Sequence, residues 1–238
     1  MRFLAINTVG ASVEVALYSD GKIVHRYDAE FKKASSVLFP FIDALLNESG
    51  ITLKDLDFIA AVSGPGSFTG IRIGISAARA FAQFTDLPMV TVTYAEVLSY
   101  NYNSTQKKVK QSANTIGTEF SPNKSMVESI VTLSDAANGY CYVAAFDEQR
   151  NVLLKPAAMP IGQVGKFLDS IDEPCAVCTD EAMQRQVFAS GKKIEPLVID
   201  GSSLISAVIA AHKRYGTIPY GQAIPLYVRQ SQAEADLK

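Results

Sequence analysis

Ala60–Gly74 reads AAVSGPGSFTGIRIG, a strand that breaks into glycines and passes straight into a helix. The apolar run from Leu56 to Val62 predicts a buried strand. Ser63, Gly64, Pro65, Gly66, Ser67, Phe68, Thr69 and Gly70 interrupt it, and a helical pattern runs from Ile71 to Phe84. Glycines there permit positive φ and close backbone approach. N–H groups at the start of the following helix can hold an anion. The loop is not a Walker A loop, because no Gly-Lys-Ser/Thr follows. Gly64, Gly66 and Gly70 are one residue out of register for G-x-G-x-x-G. Ser67 directly follows Gly66, so the loop is not a G-x-S-x-G elbow either. On chemistry alone it reads equally as a ligand-contacting loop or as a tight strand-to-helix turn.

Around this stretch the chain has 238 residues, 48% hydrophobic and 19% charged. That is a globular composition with a sizeable core. No apolar run reaches the ~18 residues of a membrane helix. The opening MRFLAINTVG has one basic residue and a strand-like pattern rather than that of a signal peptide. A cytoplasmic location is expected. The net charge of −2 argues against a surface that grips nucleic acid by itself. Lys107, Lys108 and Lys110 read as a solvated loop. Cys175 and Cys178 form C-x-x-C, but Cys141 is the only other thiol and no histidine is near in sequence, so both read as small buried residues.

Upstream, the pattern predicts strands Phe3–Asn7, Val13–Tyr18 and Ile23–Tyr27, with Asp20-Gly21 as a hairpin turn. A helix Ser36–Ser49 is expected, capped by Ser35 or Ser36, with Pro40 tolerated if the helix starts at Val37 or later. Thr52 and Asp55 mark a short capped turn. Downstream come a strand Pro88–Thr93 and a connecting helix Tyr94–Tyr102. Asn101–Ser125 is polar and aperiodic, a mobile insert or linker. The opening order then returns: strands Ser129–Ser134, Tyr140–Phe146 and Val152–Lys155, then a helix Ile161–Ile171. A strand Cys175–Cys178, a helix Glu181–Ser190, a strand Leu197–Ile199 and a helix Ser203–Tyr215 complete it. A βββαβα unit therefore occurs twice. By analogy of element order, the fold class is the α/β actin/Hsp70/sugar-kinase (ASKHA) architecture, two related halves around a cleft. The expected divisions are 1–100, an insert 101–125, and 126–238.

As a word, SGPGSFTGIRIG resembles the signature of the TsaB (YeaZ) family. The resemblance is best from Arg2 to Thr93. It returns at Asp135 and at Pro225-Leu226-Tyr227-Val228-Arg229, similar to the family's P-x-Y-x-R. Several positions depart from the pattern. Asn7 stands where the family has Asp, and Ala34-Ser35 or Ser35-Ser36 replaces a His-Ser pair. Asp135-Ala136 is followed by Ala137, and Tyr140 stands where a Glu is usual. The resemblance implies a non-catalytic subunit that binds and activates a TsaD-like threonylcarbamoyl transferase acting on tRNA adenosine. A TsaE-like ATPase would join, and the chain would pair with itself when alone. Contact with tRNA would come only through the complex, and a nucleotide only at a complex interface, with no cofactor of its own.

Independent catalysis would need more than the residues offer. An actin-fold ATPase needs an acid in the first turn to place Mg²⁺ or its water, and Asn7 carries no charge. Asp135 is a candidate second acid, but a turn aspartate reads first as a local hydrogen-bond acceptor. His25 and His212 lie in different halves and read as structural. The alternative is an actin-fold ATP-dependent phosphotransferase or nucleotide hydrolase. A third reading is a homodimer with a separate role.

Two helices carry the expected partner surface. Arg72, Ser76, Arg79 and Gln83 form a narrow polar stripe on the second helix, and Ser36, Pro40, Asp43 and Asn47 form one on the first. Both helices are otherwise apolar nearly all round, so they are either wholly internal or carry a sticky face. The expected interface residues are Leu38, Phe39, Phe41, Ile42, Leu45, Ile71, Arg72, Gly74, Ile75, Ala78 and Arg79.

Overall fold

The computed structural model describes residues 1–10, 12–29, 34–102, 129–171, 175–184, 193–195 and 199–229. β1 (Arg2–Asn7), β2 (Val13–Ser19) and β3 (Lys22–Asp28) form an antiparallel run. Asp20 and Gly21 make the turn between β2 and β3 at φ 50° and 94°, the twist-matched form of a two-residue hairpin. α1 (Ala34–Ser49), β4 (Phe58–Val62), α2 (Phe68–Thr85) and β5 (Met89–Val92) follow, and α3 covers residues 94–102. The sheet order is β3-β2-β1-β4-β5, with β4 parallel to β1 and β5 parallel to β4.

The second series repeats the first in order and in sense. It comprises β6 (Ser129–Asp135), β7 (Tyr140–Asp147), β8 (Val152–Pro160), α4 (Val164–Asp169), β9 (Cys175–Thr179), α5 (Glu181–Gln184) and β10 (Lys193–Glu195). Its sheet runs β10-β9-β6-β7-β8, so β6 stands where β1 stands and β9 where β4 stands. The antiparallel pairs are β6–β7 and β7–β8, and the parallel ones β6–β9 and β9–β10. This duplicated βββαβα plan is the actin-like fold that the element order predicts.

One expected placement is corrected. The predicted last helix is α6 (Ser202–Tyr215), and it packs on β1, β2 and β5 of the first sheet, not on the second. Met1–Val97 and the described residues from Ile199 onward form one compact unit, and Leu98–Val198 the other. The physical reason lies in the first sheet. α1 and α2 cover one face of it, where a Cβ on Gly74 would meet Ile6 and Thr8. The opposite face carries Phe3 and Phe58, whose rings stack at 4.7 Å, and Phe58 stacks in turn on His212 of α6 at 4.7 Å. With helices on both faces the strands are buried throughout, which is why RFLAIN and FIAAV are nearly continuous apolar runs.

Other boundaries move for local reasons. α1 starts at Ala34, which places Pro40 inside it rather than in its first turn. Ser36 and Pro40 lie on the exposed side of the helix, away from the core. β8 runs on through Pro156 to Pro160 because it is an edge strand, and its register with β7 shifts between Ala145 and Phe146 and between Val143 and Ala145. The helix predicted at Ile161–Ile171 is a 3-10 turn followed by the short α4. The strand expected at Leu197–Ile199 falls at Lys193–Glu195, and residues 197–198 lie outside the described ones. The polar stretch beyond Tyr102 and the predicted helix beyond Gln184 also lie outside them.

Candidate functional site

The glycine loop is tied to the turn after β1. The Ser67 amide donates to the Val9 carbonyl at 2.9 Å, and the Thr8 hydroxyl donates to the Gly70 carbonyl at 2.7 Å. Ser67 also caps α2: its hydroxyl accepts from the Gly70 amide at 3.1 Å. On the other flank the Leu226 amide donates to the Ser63 carbonyl at 2.7 Å, and the Tyr94 amide to that of Gly64 at 2.8 Å. The glycines serve these close approaches. A Cβ on Gly66 would stand 2.6 Å from the Val9 carbonyl oxygen, and one on Gly64 2.6 Å from that of Leu226. Gly64 also sits at φ 119°, where a side chain is strained. The Ser67 and Gly70 amides at this helix start are bonded to the chain itself.

Arg72 and the C-terminal motif meet at the start of α2. The Arg72 guanidinium lies 3.9 Å from the centre of the Phe68 ring, and its Nε donates to the Tyr227 hydroxyl at 3.1 Å. The Phe68 and Tyr227 rings stack at 4.8 Å. The sequence thus named Arg72 and P-x-Y-x-R separately, and the fold joins them in one clasp.

The expected interface residues separate into two groups. Leu38, Ile42, Leu45, Ile71, Gly74, Ile75 and Ala78 are buried against the sheet and belong to the core, so the reading of these as a partner surface is corrected. They recur at helical spacing on the inward sides of α1 and α2. Phe39 and Arg72 are exposed, and Phe41 and Arg79 half-buried. The outward face adds Phe81 and Phe84, which the sequence reading had not singled out. Phe39 and Phe81 meet edge to face at 5.7 Å, and Phe84 is 77% exposed. Three phenylalanines therefore line adjoining helices on the solvent side.

At the end of β1, Asn7 is buried and faces Glu14 across the β1–β2 ladder. Its amide Nδ2 donates to Glu14 Oε2 at 3.3 Å, and its Oδ1 accepts from the Val9 amide at 3.2 Å. Burial pushes the Glu14 carboxyl up to about 7, against the pull of bonds from Asn7 and the Gly201 backbone. An aspartate at position 7 would set a second carboxylate against Glu14, whereas the amide donates to it. The sequence analysis did not single out Glu14, since alternation with Val13 and Val15 is the ordinary pattern of a strand with one face in water. In the second unit, Asp135 accepts from the Ala137 amide at 3.1 Å, the local role that its turn position predicts. Its own amide donates to Asp180, whose carboxyl is pushed up by burial. Cys175 and Cys178 are buried, as expected, and so is Cys141; none of the three is in a disulfide.

A cavity of about 330 Å³ lies along β5, lined by Ser63, Thr91, Thr93 and Glu96 on one side and by Tyr215 and Ile218 on the other. Its described lining holds no Lys, Arg or His to meet a phosphate. Among the described residues no group of three or more His, Cys, Asp or Glu could hold a metal ion, and no helix is long and apolar enough to cross a membrane.

Comparison with known proteins then bears on the same stretch. A family model described as TsaD, tRNA N6-adenosine threonylcarbamoyltransferase, matches residues 30–113. The tRNA threonylcarbamoyladenosine biosynthesis protein TsaB of Escherichia coli is 38% identical over 93 residues, which is 39% of this chain and 40% of that protein. TsaB of Bacillus subtilis is 35% identical over 102 residues, 42% of this chain and 44% of its own length. The solved structure of YeaZ from Pseudomonas aeruginosa superposes with a TM-score of 0.73 at 21% identity, over 95% of this chain and 99% of that one. The chain is thus similar to TsaB proteins in part of its sequence and to YeaZ in its fold. The aligned sequence spans about two fifths of these curated TsaB relatives, while the fold agrees along nearly the whole of YeaZ. The glycine loop, α1 and α2 all lie within the part of the sequence that carries the family likeness.

Proposed function

We propose that this chain is a non-catalytic subunit in threonylcarbamoyladenosine biosynthesis on tRNA, and that it docks a TsaD-like transferase through the outward face of α1 and α2. One observation carries the reading. The outward face formed by Phe39, Phe81 and Phe84 belongs to the segment that the TsaD family model also matches. Two proteins sharing that helix pair can meet through like surfaces, as two copies of one chain do in an isologous dimer. Two exposed phenylalanines, Phe39 and Phe84, with the half-buried Phe81 beside Phe39, are an anchor of the kind that dominates such interfaces. The same face serves self-pairing when the partner is absent, and a TsaE-like ATPase joins the assembly elsewhere. The internal bonding of Ser67 and Gly70 and the uncharged Asn7 support a subunit that turns over no nucleotide by itself. The assembly acts in the cytoplasm, where tRNA is modified, and this chain meets tRNA only through its partner.

The test is reconstitution. Threonylcarbamoyladenosine formation on tRNA by the TsaD-like and TsaE-like proteins of the same cell is measured with and without this chain. Formation that requires the chain, with no metal-dependent ATP turnover by the chain alone, is the expected result. Formation undiminished without it, or ATP turnover by the purified chain, overturns the proposal.

A further inference from the structure

Beneath the N-terminus of α6 lies a pair that the proposed function does not use, the buried Glu14 and the half-buried His25. The Glu14 side chain is 9% exposed, and its Oε1 stands 3.8 Å from His25 Nε2. That nitrogen is buried and has no hydrogen-bond partner. The Gly201 amide, at the cap of α6, donates to the same carboxyl group. A Cβ on Gly201 would meet the His25 Cβ at 3.1 Å, so the helix start is seated directly on this pair. The groups around it come from each packed element. Asn7 on β1 donates to Glu14, Arg26 on β3 neighbours His25, and Tyr27 lies opposite Glu14 in register. Burial raises the Glu14 carboxyl and lowers His25, Arg26 lowers His25 further, and Asp200, ahead of α6, pulls both members toward retaining protons.

We propose that Glu14 and His25 hold a single proton between them in the folded chain, and that this shared proton fastens the first turn of α6 to β2 and β3. With one proton present, the orphaned Nε2 has a partner in either form. It accepts from a protonated Glu14, or as imidazolium it donates to the carboxylate, and the two forms interconvert by passing one proton. A small side-chain rotation brings 3.8 Å to hydrogen-bond distance. When the proton is lost, a bare carboxylate remains buried beside an imidazole whose Nε2 is either an unmatched acceptor or a donor held too far away. Two protons bring no further bond and place a cation in a buried site. Asn7 belongs to the same device, because an amide there bonds Glu14 without competing for the proton.

The experiment is nuclear magnetic resonance on the full chain between pH 5 and 9. It follows the His25 imidazole nitrogens, the Gly201 amide and, after correction for intrinsic rate, exchange of the Ile205 amide that bonds the Gly201 carbonyl. The expected result is one shared midpoint for His25 and Gly201 together, with Ile205 exchange rising above it. In Glu14→Gln, the His25 midpoint falls by about one unit and Ile205 exchange no longer depends on pH. Should that variant not fold, His25→Gln serves, and the Gly201 midpoint shifts by about one unit. Separate midpoints in the wild type, or a variant that leaves the remaining midpoint in place, overturns the proposal.

Discussion

The Ser67 amide bonds the Val9 carbonyl at 2.9 Å, and that contact ties the signature loop to the turn between the first two strands. Val9 and Ser67 are 58 positions apart in sequence, yet Gly66 is packed so closely on Val9 that no side chain fits between them. The loop is thereby a structural joint at the root of α2. Gly66→Ala should destabilise the chain by about 2 kcal/mol or more, since its Cβ would meet backbone that cannot swing aside. Thermal or urea unfolding checks this. Gly221→Ala, where a Cβ meets nothing within 4 Å, is the control and should change little.

A second prediction concerns pH. Burial raises the Glu14 carboxyl from 4.5 to about 7. A raised folded-state value means stability is fully present below the unfolded value of 4.5 and lost as pH rises toward about 7. Glu14→Gln should remove this loss. Variant minus wild type should therefore be flat below pH 4.5 and climb to the order of 3 kcal/mol in favour of the variant by pH 8. Taking the difference cancels exposed carboxylates such as Asp20 and Asp55, which are held low and lose stabilisation in acid. A difference that does not change with pH would contradict the assignment.

The clasp between α2 and the C-terminal motif gives a third. Tyr227→Phe keeps the stack on Phe68 and loses the bond from Arg72, and should cost about 0.5 kcal/mol. Tyr227→Ala loses both and should cost about 1–2 kcal/mol. If the two variants unfold alike, the stack contributes nothing and the clasp is wrongly described.

These outcomes rest on features unequally legible in the sequence. The doubled βββαβα order could be read because hairpin turns such as Asp20-Gly21 and the strand-loop-helix at Ala60–Gly74 are local signals. Which of the large apolar residues on α1 and α2 face outward could not. Leu38, Ile42 and Leu45 point to the sheet and Phe39 to solvent, but all four are large and apolar, so periodicity had nothing to separate. Their polar stripes at Ser36–Asn47 and Arg72–Gln83 did mark the exposed side correctly. Glu14 was hidden for the opposite reason: strand alternation suggests a solvent face, and only α6, arriving from nearly two hundred residues later, buries it. That arrival also explains why the last helix was assigned to the wrong half.

The burial pattern separates two classes of variant on the same helices. Ala78→Trp places a large ring at a position with no exposure and should unfold the chain or cost about 3 kcal/mol. Phe84→Asp and Phe39→Asp alter side chains that are 77% and 54% exposed, and should leave the unfolding midpoint within about 0.5 kcal/mol of wild type. Circular dichroism melts distinguish the classes before any partner is added.

The most direct measurement is size-exclusion chromatography with light scattering, on the chain alone and mixed with the TsaD-like protein of the same cell. The wild type should form a mixed complex, while Phe84→Asp and Phe39→Asp, folded by their melts, should bind at least about tenfold more weakly. A wild-type chain that ignores the partner, or variants that bind it as tightly as wild type, would contradict the docking face and the role built on it.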